Sequence, residues 1–346
     1  MKIAIHKKEN DFSSKWIRYC VENNVEYKIV NCYSNSIVED TADCDALMWH
    51  FNQANPKDYL FAKELLYSLQ MGGKVVFPDF NTAWHFDDKV GQKYLLESIA
   101  APLVPSYVFY DKETAMEWAN DTTFPKVFKL RRGAGSSHVK LAESRTEAVK
   151  LIKKAFGKGF SLYDKFSNLK ERWSKFRRGK TNILNVLKGV IRLGYTTEFA
   201  RTAGRERGYV YFQEFIPGND YDIRVIVIDG KAFAIKRLVR ENDFRASGSG
   251  SVLYEKHHFN EETVRLSFEI AEKLKSQSLA IDFVYKNGEP MIVELSYGFI
   301  KEVYYTCEGY WDNKLNWHKG PFDAQGWMVE SVLKEIKGKK GGTYNV

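Results

Sequence analysis

The first hundred residues alternate short apolar runs with stretches of helical periodicity, and this rhythm constrains the fold more than any other feature. The apolar runs are KIAI, EYKIV, ALMWHF and KVVFP, and amphipathic segments of helix length separate them. Such alternation favours a parallel, doubly wound sheet that is covered by helices. We therefore predict an N-terminal α/β lobe over residues 1–100, with Pro102 and Pro105 marking its boundary.

The pattern changes beyond that boundary to hairpins and isolated helices, which predicts an α+β arrangement. We expect a central lobe over residues 101–208 that carries a basic helical insertion at 158–207. A C-terminal lobe should follow over 209–336, and the glycine- and lysine-rich segment 337–346 is predicted to be a flexible tail.

Composition excludes several classes of protein. The chain has 346 residues, of which 44% are hydrophobic, so it can bury a substantial core. No apolar run approaches the roughly 18 residues of a membrane span, and the charged start is unlike a signal peptide. The four cysteines form no zinc-binding or CxxC spacing, which indicates reduced thiols in a cytoplasmic protein; they are Cys20, Cys32, Cys44 and Cys307.

The net charge of +8 is concentrated in one segment. Residues 158–207 contain 13 Lys and Arg against 4 Asp and Glu, so the rest of the chain is nearly neutral. Three interpretations stay open for this segment: a solvated helical excursion, a cap that attracts an anionic acceptor, or a nucleic-acid-binding module. We consider nucleic acid the least favoured partner.

The last hairpin, LAIDFVYKNGEPMIVELSY, carries two carboxylates in an otherwise apolar setting. If its turn is the three-residue loop 287–289, Asp282 lies directly opposite Glu294, and Ser296 shares their face. Like charges in this position are unfavourable unless a cation lies between them, which points to magnesium. A solvent-exposed face or a shifted register would explain the pattern equally well.

A second hairpin turns at Asp229-Gly230, a strong signal for a two-residue turn. This turn pairs Asp222 with Arg237 and puts Arg224 on the same face. An ordinary cross-strand ion pair would account for these residues. The nearby Gly/Ser-rich loop carries Arg245, however, and arginines beside a flexible loop suit a phosphate or a carboxylate.

The turn RRGAGSSH is a candidate phosphate cradle, because glycines let backbone N–H groups approach an anion. It matches neither the P-loop nor the dinucleotide-binding pattern. Lys129 precedes it on an apolar strand, where a buried lysine needs an anionic partner.

Aromatic residues and histidines are assigned mainly to the core. Packing of the C-terminal segment explains its aromatic cluster better than sugar stacking does; the cluster comprises Tyr310, Trp311, Trp317 and Trp327. His50, His85 and His318 have no spaced partners, and His85 is expected to be nearest to the interlobe cleft.

Taken together, three segments resemble the ATP-grasp superfamily over about residues 89–299. FPKVFKLRRGAGSSHV is similar to its strand, lysine and glycine loop, and YFQEFIPGNDYDIRVIVIDGK to its adenine hinge and Asp-x-Arg strand. AIDFVYKNGEPMIVELS is similar to its metal hairpin, although Ser296 stands where the family has Asn. The closest likeness is to carboxylate-amine ligases such as D-alanine–D-alanine ligase, glutathione synthetase and the ribosomal-protein glutamate ligases.

The resemblance implies a role for each matching residue. Those expected to bind ATP phosphates are Lys89, Lys129, Gly133, Gly135 and Ser136. Those expected at the nucleoside are Gln213, Glu214, Phe215 and Ile216 for adenine and Asp220 for ribose. Those expected to bind magnesium are Asp282, Glu294 and Ser296. Arg224, Arg237 and Arg245 are expected to stabilise the reacting groups.

The implied fold is an ATP-grasp fold, with an N-terminal parallel α/β lobe and two lobes that clasp ATP. The implied activity is an ATP-dependent ligation of a carboxylate to an amine through an acyl phosphate, with an anionic glycan or nucleotide-sugar acceptor as one hypothesis. One or two magnesium ions, replaceable by manganese, are expected, and a homodimer is one expected assembly. The alternatives are a phosphotransferase on the same fold and a non-enzymatic nucleic-acid-binding protein.

Overall fold

The computed structural model describes most of the chain: residues 1–9, 11–133, 138–162, 169, 172–173, 176–177, 181–191, 198–239, 244–245 and 250–341. The side chain of Ile191 is not included. Among these residues no helix is both long enough and apolar enough to cross a bilayer. All four cysteines are free thiols and are buried.

The N-terminal segment forms the predicted parallel sheet, whose four strands lie in the order β2-β1-β3-β4. Its strands are β1 (Lys2–His6), β2 (Glu26–Val30), β3 (Ala46–Met48) and β4 (Val75–Phe77). The helices of this segment are α1 (Ser13–Glu22), α2 (Ile37–Asp40), α3 (Pro56–Met71), α4 (Phe80–Ala83) and α5 (Lys89–Ser98). Because parallel strands end at one edge of a sheet, the residues that follow β3 reach the same side as those that follow β1.

An antiparallel sheet of four strands follows, in the order β5-β10-β6-β7. These strands are β5 (Ser106–Phe109), β6 (Lys126–Lys129), β7 (Lys140–Ala142) and β10 (Val210–Glu214). The small two-stranded sheet nearby consists of β8 (Phe160–Ser161) and β9 (Arg205–Glu206). The helices of this region are α6 (Lys112–Asp121), α7 (Arg145–Ala155), α8 (Ile183–Ile191) and α9 (Glu198–Thr202).

A larger sheet completes the fold, in the order β15-β14-β11-β12-β16-β17, with β13 paired to β12. Its strands are β11 (Tyr221–Ile228), β12 (Lys231–Leu238), β13 (Val252–Leu253), β14 (Ser278–Lys286), β15 (Glu289–Ser296), β16 (Gly309–Asp312) and β17 (Trp317–Lys319). Two α-helices accompany it, α10 (Glu261–Leu274) and α11 (Ala324–Gly341). Short 3-10 helices occupy Lys256–His258 and Lys301–Tyr304.

The C-terminal helix α11 packs against the N-terminal part of the chain rather than extending away from it. Its buried residues, including Met328, Val329 and Val332, share one core with Trp16 of α1 and Phe77 of β4. The segment predicted to be a flexible tail from residue 337 is helical as far as Gly341, although its residues 337–341 are exposed and the last buried residue of α11 is Ile336.

The C-terminal aromatic residues also contribute to packing. Trp311 and Trp327 are buried, and Tyr310 contacts Trp327 with ring centroids 4.9 Å apart. Trp311 contacts Trp317 at 4.5 Å. The core-packing interpretation of these four aromatic side chains is the one that the structure supports.

Helix α3 offers a direct test of this core. Leu66 is fully buried there, whereas Leu60 on the same helix is 59% exposed. Leu66→Ala should lower the free energy of unfolding by about 2–5 kcal/mol, because it removes buried methyl groups and leaves a cavity. Leu60→Ala should change it by less than about 0.5 kcal/mol. Denaturant unfolding of both variants measures the difference, and equal effects would contradict the orientation of α3.

Candidate active site

A cavity of about 570 Å³ lies where the three large sheets approach one another. The parallel sheet contributes residues that follow β3, from His50 to Ala54. The four-stranded sheet contributes Lys129 and the end of β10, and the larger sheet contributes charged residues of β11, β14 and β15. The residues that follow β3 form an uncharged part of the lining, which we call the N-terminal end, whereas the larger sheet supplies Asp222, Arg224, Asp282 and Glu294 at the charged end.

At the charged end Asp282 is bound by two arginines. Arg224 lies directly opposite Asp282 across β11 and β14, and its Nε and a terminal nitrogen donate to the two carboxylate oxygens at 2.5 and 2.7 Å. Arg237 contacts the same carboxylate at 2.9 Å. Burial alone would raise the pKa of Asp282, but the two guanidinium groups hold that pKa well below its usual range. Asp282 is therefore ionised over the whole physiological pH range.

Arg237 is paired with Asp222 as the sequence predicted. The two residues lie opposite each other on β11 and β12, with bidentate contacts of 2.6 Å. Arg237 does not line the cavity, whereas Arg224 and Asp222 do. The prediction that Arg237 faces the reacting groups is thus not matched by its location, because its guanidinium is held between two carboxylates behind the cavity wall.

Glu294 lies directly opposite Asp282, as predicted, and its carboxylate is 2.9 Å from Nζ of Lys89. Lys89 is the first residue of α5 and also donates to the carbonyl of Gly133 at 3.0 Å. Burial would lower the pKa of Lys89, but attraction to Glu294 and Asp87 outweighs it and raises that pKa. Part of the positive charge that the opposed carboxylates of Asp282 and Glu294 require is thus supplied by protein side chains, those of Lys89, Arg224 and Arg237.

The predicted turn of this hairpin is wrong, although the predicted pair is right. Lys286 lies opposite Glu289, so the turn has two residues, Asn287 and Gly288, both with positive φ. A bulge leaves Val293 without a partner, and this extra residue restores the pairing of Asp282 with Glu294. The observed turn is one residue shorter than the predicted turn, and the bulge makes β15 one residue longer than its partner over the same stretch, so the two differences cancel.

Lys129 is buried on β6 and donates to Oε1 of Gln213 on β10 at 2.6 Å. Burial lowers its pKa to about 8, with Glu294 and Asp282 acting in the opposite direction and Lys89 adding to the lowering. A neutral amide is its bonded partner, although the sequence predicted an anionic one. Lys129 is consequently a cation whose charge an incoming anion would stabilise.

Sequence reasoning missed Lys126, which lies three residues before Lys129 on β6 and therefore on the opposite face of the sheet. Its Nζ is 2.9 Å from the carboxylate of Glu214, and that carboxylate also accepts a hydrogen bond from Tyr107 at 3.0 Å. Glu214 lines the cavity together with Phe215 and Ile216. The only signal in the sequence was a second lysine on the same apolar strand.

Asp220 is exposed and does not line the cavity. Its neighbour Asn219 does, and the amide of Asn219 donates to the carbonyl oxygens of Ile216 and Tyr285 at 3.2 and 2.9 Å. The prediction of Asp220 at the ribose position is therefore not matched by its location, since the turn that ends at β11 directs Asn219 inward instead.

Gly133 is the described member of the predicted glycine loop; Gly135 and Ser136 lie outside the described residues. The backbone N–H of Gly133, at φ 128°, donates to Asp87 at 2.9 Å. Burial raises the pKa of Asp87 to about 6. Asp87 also lines the cavity and was not predicted from the sequence.

The remaining predicted residues differ in their placement. Arg245 and Ser296 both line the cavity, but the hydroxyl of Ser296 donates to the carbonyl of Gly298 at 2.8 Å. His50 lines the cavity, whereas His85 is fully buried and is not among the lining residues. The structural interpretation of His85 agrees with this burial, but its expected place nearest to the cleft does not. Burial lowers the pKa of His50 to about 3, which keeps its ring neutral.

Within the described part of the chain, no cluster of three or more His, Cys, Asp or Glu side chains could hold a metal ion. Asp282 and Glu294 nevertheless present two carboxylates from adjacent strands to one cavity. Magnesium is commonly bound by one or two carboxylates together with phosphate oxygens, rather than by a cage made of protein alone. The donor set therefore fits magnesium that arrives with a polyphosphate.

The fold that positions this cavity is shared with known proteins. Residues 201–301 match the model of the RimK-like ATP-grasp domain. The chain is similar in structure to a RimK domain protein of the ATP-grasp type from Sphaerobacter thermophilus, with a TM-score of 0.56, 15% identity, and coverage of 96% of this chain and 100% of that one. No curated protein sequence matches the chain.

Two ligase structures are also similar over almost the whole chain. D-alanine–D-alanine ligase from Bacillus anthracis in complex with ATP has a TM-score of 0.54 and 12% identity, covering 98% of this chain and 99% of that one. The ATP-grasp ligase PsnB with a minimal precursor, Mg and ADP has a TM-score of 0.55 and 12% identity, covering 97% and 98%. The chain therefore has the ATP-grasp fold, and the resemblance predicted from its motifs is confirmed.

The buried lysine gives a pH-dependent prediction. Because the folded state lowers the pKa of Lys129 from 10.5 to about 8, the unfolded chain binds more protons between these values, and stability rises with pH there. Lys129→Met removes the cost of burying the charge. The variant should be more stable than the wild type at pH 7, and this advantage should shrink as pH rises above about 8.

The measurement is the difference in thermal unfolding midpoint between variant and wild type from pH 7 to 10. Lys286→Met, at an exposed position, is the control. A difference that stays constant across this range would show that Lys129 does not titrate as the geometry requires.

Proposed function

We propose that the protein is an ATP- and magnesium-dependent ligase that joins a carboxylate to an amine. The observation that carries the proposal is the pair of opposed carboxylates, Asp282 and Glu294, in the same cavity as Lys89 and Lys129. Two anions and two cations around one space are what a magnesium–polyphosphate complex requires. The ATP-grasp domain match and the similarity to ligase structures support the same assignment.

The nucleotide is proposed to lie between the four-stranded sheet and the larger sheet. Lys89 and Lys129 would bind its phosphates. The glycine-loop residues Gly133, Gly135 and Ser136 would bind the same phosphates. At the adenine end, Phe215 and Ile216 provide apolar contacts and backbone groups, while Gln213 and Glu214 are fixed by Lys129 and Lys126. Asn219, rather than Asp220, is the polar side chain that reaches this end of the cavity.

Magnesium would be held by Asp282 and Glu294, and when bound it would neutralise charge that develops on the phosphates. A carboxylate oxygen pair offers about four lone-pair positions. Arg224 donates to both oxygens of Asp282, and a terminal nitrogen of Arg237 lies 2.9 Å from one of them. Part of the acceptor capacity of Asp282 is therefore already used, and the rest would be open to magnesium. Manganese is expected to substitute, and one or two ions would be bound.

The proposed chemistry has two balanced steps. An oxygen of the substrate carboxylate attacks the terminal phosphorus of ATP, forming an acyl phosphate and releasing ADP. The amine nitrogen then attacks the acyl carbon, phosphate leaves, and the amine loses a proton. Arg224 and Arg245 line the cavity and would stabilise the negative charge of both steps, while Arg237 would hold Asp282 in place.

The acceptor is proposed to be anionic, because the excess of positive charge in the basic segment 158–207 is larger than the net charge of the whole chain. A uronic-acid sugar, a nucleotide-linked sugar or an anionic polymer fits this chemistry. The free thiols and the use of ATP support a cytoplasmic location for the reaction.

Ligand-dependent stability tests the nucleotide site. ATP with magnesium at about 100 times its dissociation constant should stabilise the wild type by roughly 2.7 kcal/mol. Glu294→Gln should lose most of this effect, because it removes one proposed magnesium ligand. Glu289→Gln, at the exposed first residue of the same strand, should retain it. Thermal unfolding with ATP and magnesium, alone and together, provides the measurement.

No shift in wild type or in Glu289→Gln would contradict the nucleotide site. Where the shift is present, hydroxylamine added with ATP and a carboxylate should yield a hydroxamate, because it traps an acyl phosphate. A stable phosphorylated acceptor with no amide, detected by mass spectrometry, would identify a phosphotransferase instead.

The basic segment generates a separate prediction. Arg177→Gln combined with Lys188→Gln removes two exposed charges and should raise the KM for an anionic acceptor roughly two- to tenfold, with little change in kcat. The matched control combines Lys286→Gln with Lys337→Gln, which are exposed outside the segment. The assay is ATP turnover stimulated by uronic acids, nucleotide-linked uronic acids and polyglutamate. Equal effects of the two pairs would contradict a role for the segment.

A further inference from the structure

Strand β15, which carries Glu294, is the outer strand of the larger sheet. Among the residues that the structure describes, no strand pairs with its outward backbone groups over most of its length. Unpaired backbone groups at an edge are unfavourable when they are buried. At Ile292 the chain before β5 provides the missing hydrogen bonds. The N–H of Ile292 donates to the carbonyl of Pro102 at 2.8 Å, and the carbonyl of Ile292 accepts from the N–H of Val104 at 3.0 Å. The edge is thus held firmly on one side of Glu294.

On the other side of Glu294 the edge is held by a side chain. The amide of Gln92 accepts from the N–H of Leu295 at 3.0 Å and donates to the carbonyl of the same residue at 2.8 Å. A further bond from this amide reaches the carbonyl of His85 at 3.0 Å. Gln92 is only 3% exposed, so one primary amide replaces a neighbouring strand at this position.

The bulge lies between these two attachments. Val293 is the unpaired residue, with Ile292 attached before it and Leu295 attached after Glu294. The bulge could in principle lie at another residue of β15. The residues between the two bulge positions would then shift by one relative to β14, and their side chains would point to the opposite face. Such a slip would remove Glu294 from its position opposite Asp282. The attachment at Leu295 therefore selects the register that the site needs.

Gln92 also belongs to the helix that provides the partner of Glu294. It lies three residues after Lys89 on α5, so both side chains leave the same face of that helix. Lys89 contacts the carboxylate of Glu294 and Gln92 contacts the backbone of the next residue. One rigid element thereby determines both the direction of the Glu294 side chain and the course of its strand.

We propose that Gln92 is a positioning residue that fixes the bulged register of β15 and thereby holds Glu294 opposite Asp282. Its consequence for catalysis rests on the proposed function, in which these carboxylates hold magnesium with ATP. Its consequence for the strand is independent of any activity. Partners that orient metal ligands commonly change metal affinity by about 10- to 100-fold when they are removed.

Gln92→Leu tests the proposal, because leucine has a similar volume and neither bonding group. The matched control is Gln277→Leu, since Gln277 is also a buried amide that accepts from a backbone N–H, that of Asp79, and donates to a backbone carbonyl, that of Val76. Both variants lose buried hydrogen bonds, so both should lose stability. Only Gln92→Leu should affect β15.

The first readout is amide hydrogen exchange in residues 289–296, measured without nucleotide. Exchange at Leu295 and its neighbours should accelerate about three- to tenfold in Gln92→Leu, as expected for the loss of one or two hydrogen bonds, and stay at the wild-type rate in Gln277→Leu. Equal protection of β15 in both variants would overturn the proposal, whether or not the protein proves to be a ligase.

The second readout is the magnesium concentration that gives half-maximal ATP turnover. It should rise at least about tenfold in Gln92→Leu and change little in Gln277→Leu. Faster exchange in β15 without a changed magnesium requirement would overturn the positioning role.

If Gln92→Leu does not fold, Gln92→Glu replaces it. This variant keeps the acceptor for the N–H of Leu295 but loses the donor, and it should still raise the magnesium requirement. An absence of turnover in the wild type would contradict the proposed function and leave the exchange result to decide the register.

Discussion

The contact of Asp282 with Arg224 and Arg237 is the interaction on which the candidate site depends. Asp282 lies on a strand next to β11, and its charge would be costly to bury without these partners. The bidentate contact with Arg224 fixes the register of β11 against β14, and that of Arg237 with Asp222 fixes β11 against β12. Because three adjacent strands are aligned by charged side chains, a change in any of these residues would disturb both the sheet and the cavity.

The charged cluster also connects distant parts of the chain. Glu294 is attached to the start of α5 through Lys89, and the backbone beside it is attached through Gln92, about 200 residues earlier in the sequence. The loop before α5 contributes Asp87, which binds the backbone of Gly133. Segment 85–92 therefore contacts both the glycine loop and the carboxylate strand. This is the physical reason why residues at the end of the N-terminal α/β segment help to form a site that lies mainly in the two later sheets.

The sequence was informative wherever a local pattern determined the structure. Short apolar runs that alternate with amphipathic segments predicted the parallel sheet, and the Asp-Gly turn predicted the pairing of Asp222 with Arg237 because a two-residue turn fixes register. The pairing of Asp282 with Glu294 was predicted from a wrong turn, and Val293 at the bulge compensated for the error. Contacts between distant residues left no such signal. Lys126 with Glu214 and Gln92 with Leu295 join positions that only the completed fold brings together.

The two ends of the cavity differ in how they can recognise a substrate. Beside the charged cluster, the N-terminal end presents His50, whose burial keeps its ring neutral, followed by Phe51, Asn52 and Gln53. These side chains can select by shape and hydrogen bonding, but none supplies a positive charge. Attraction of the proposed anionic acceptor would then come from charges outside this end, acting over several ångströms through solvent. Such a field raises the rate of encounter and weakens with salt, while the proposed chemical steps would depend on Arg224 and Arg245. An anionic acceptor would therefore be distinguished by a KM that rises with ionic strength while kcat remains nearly constant.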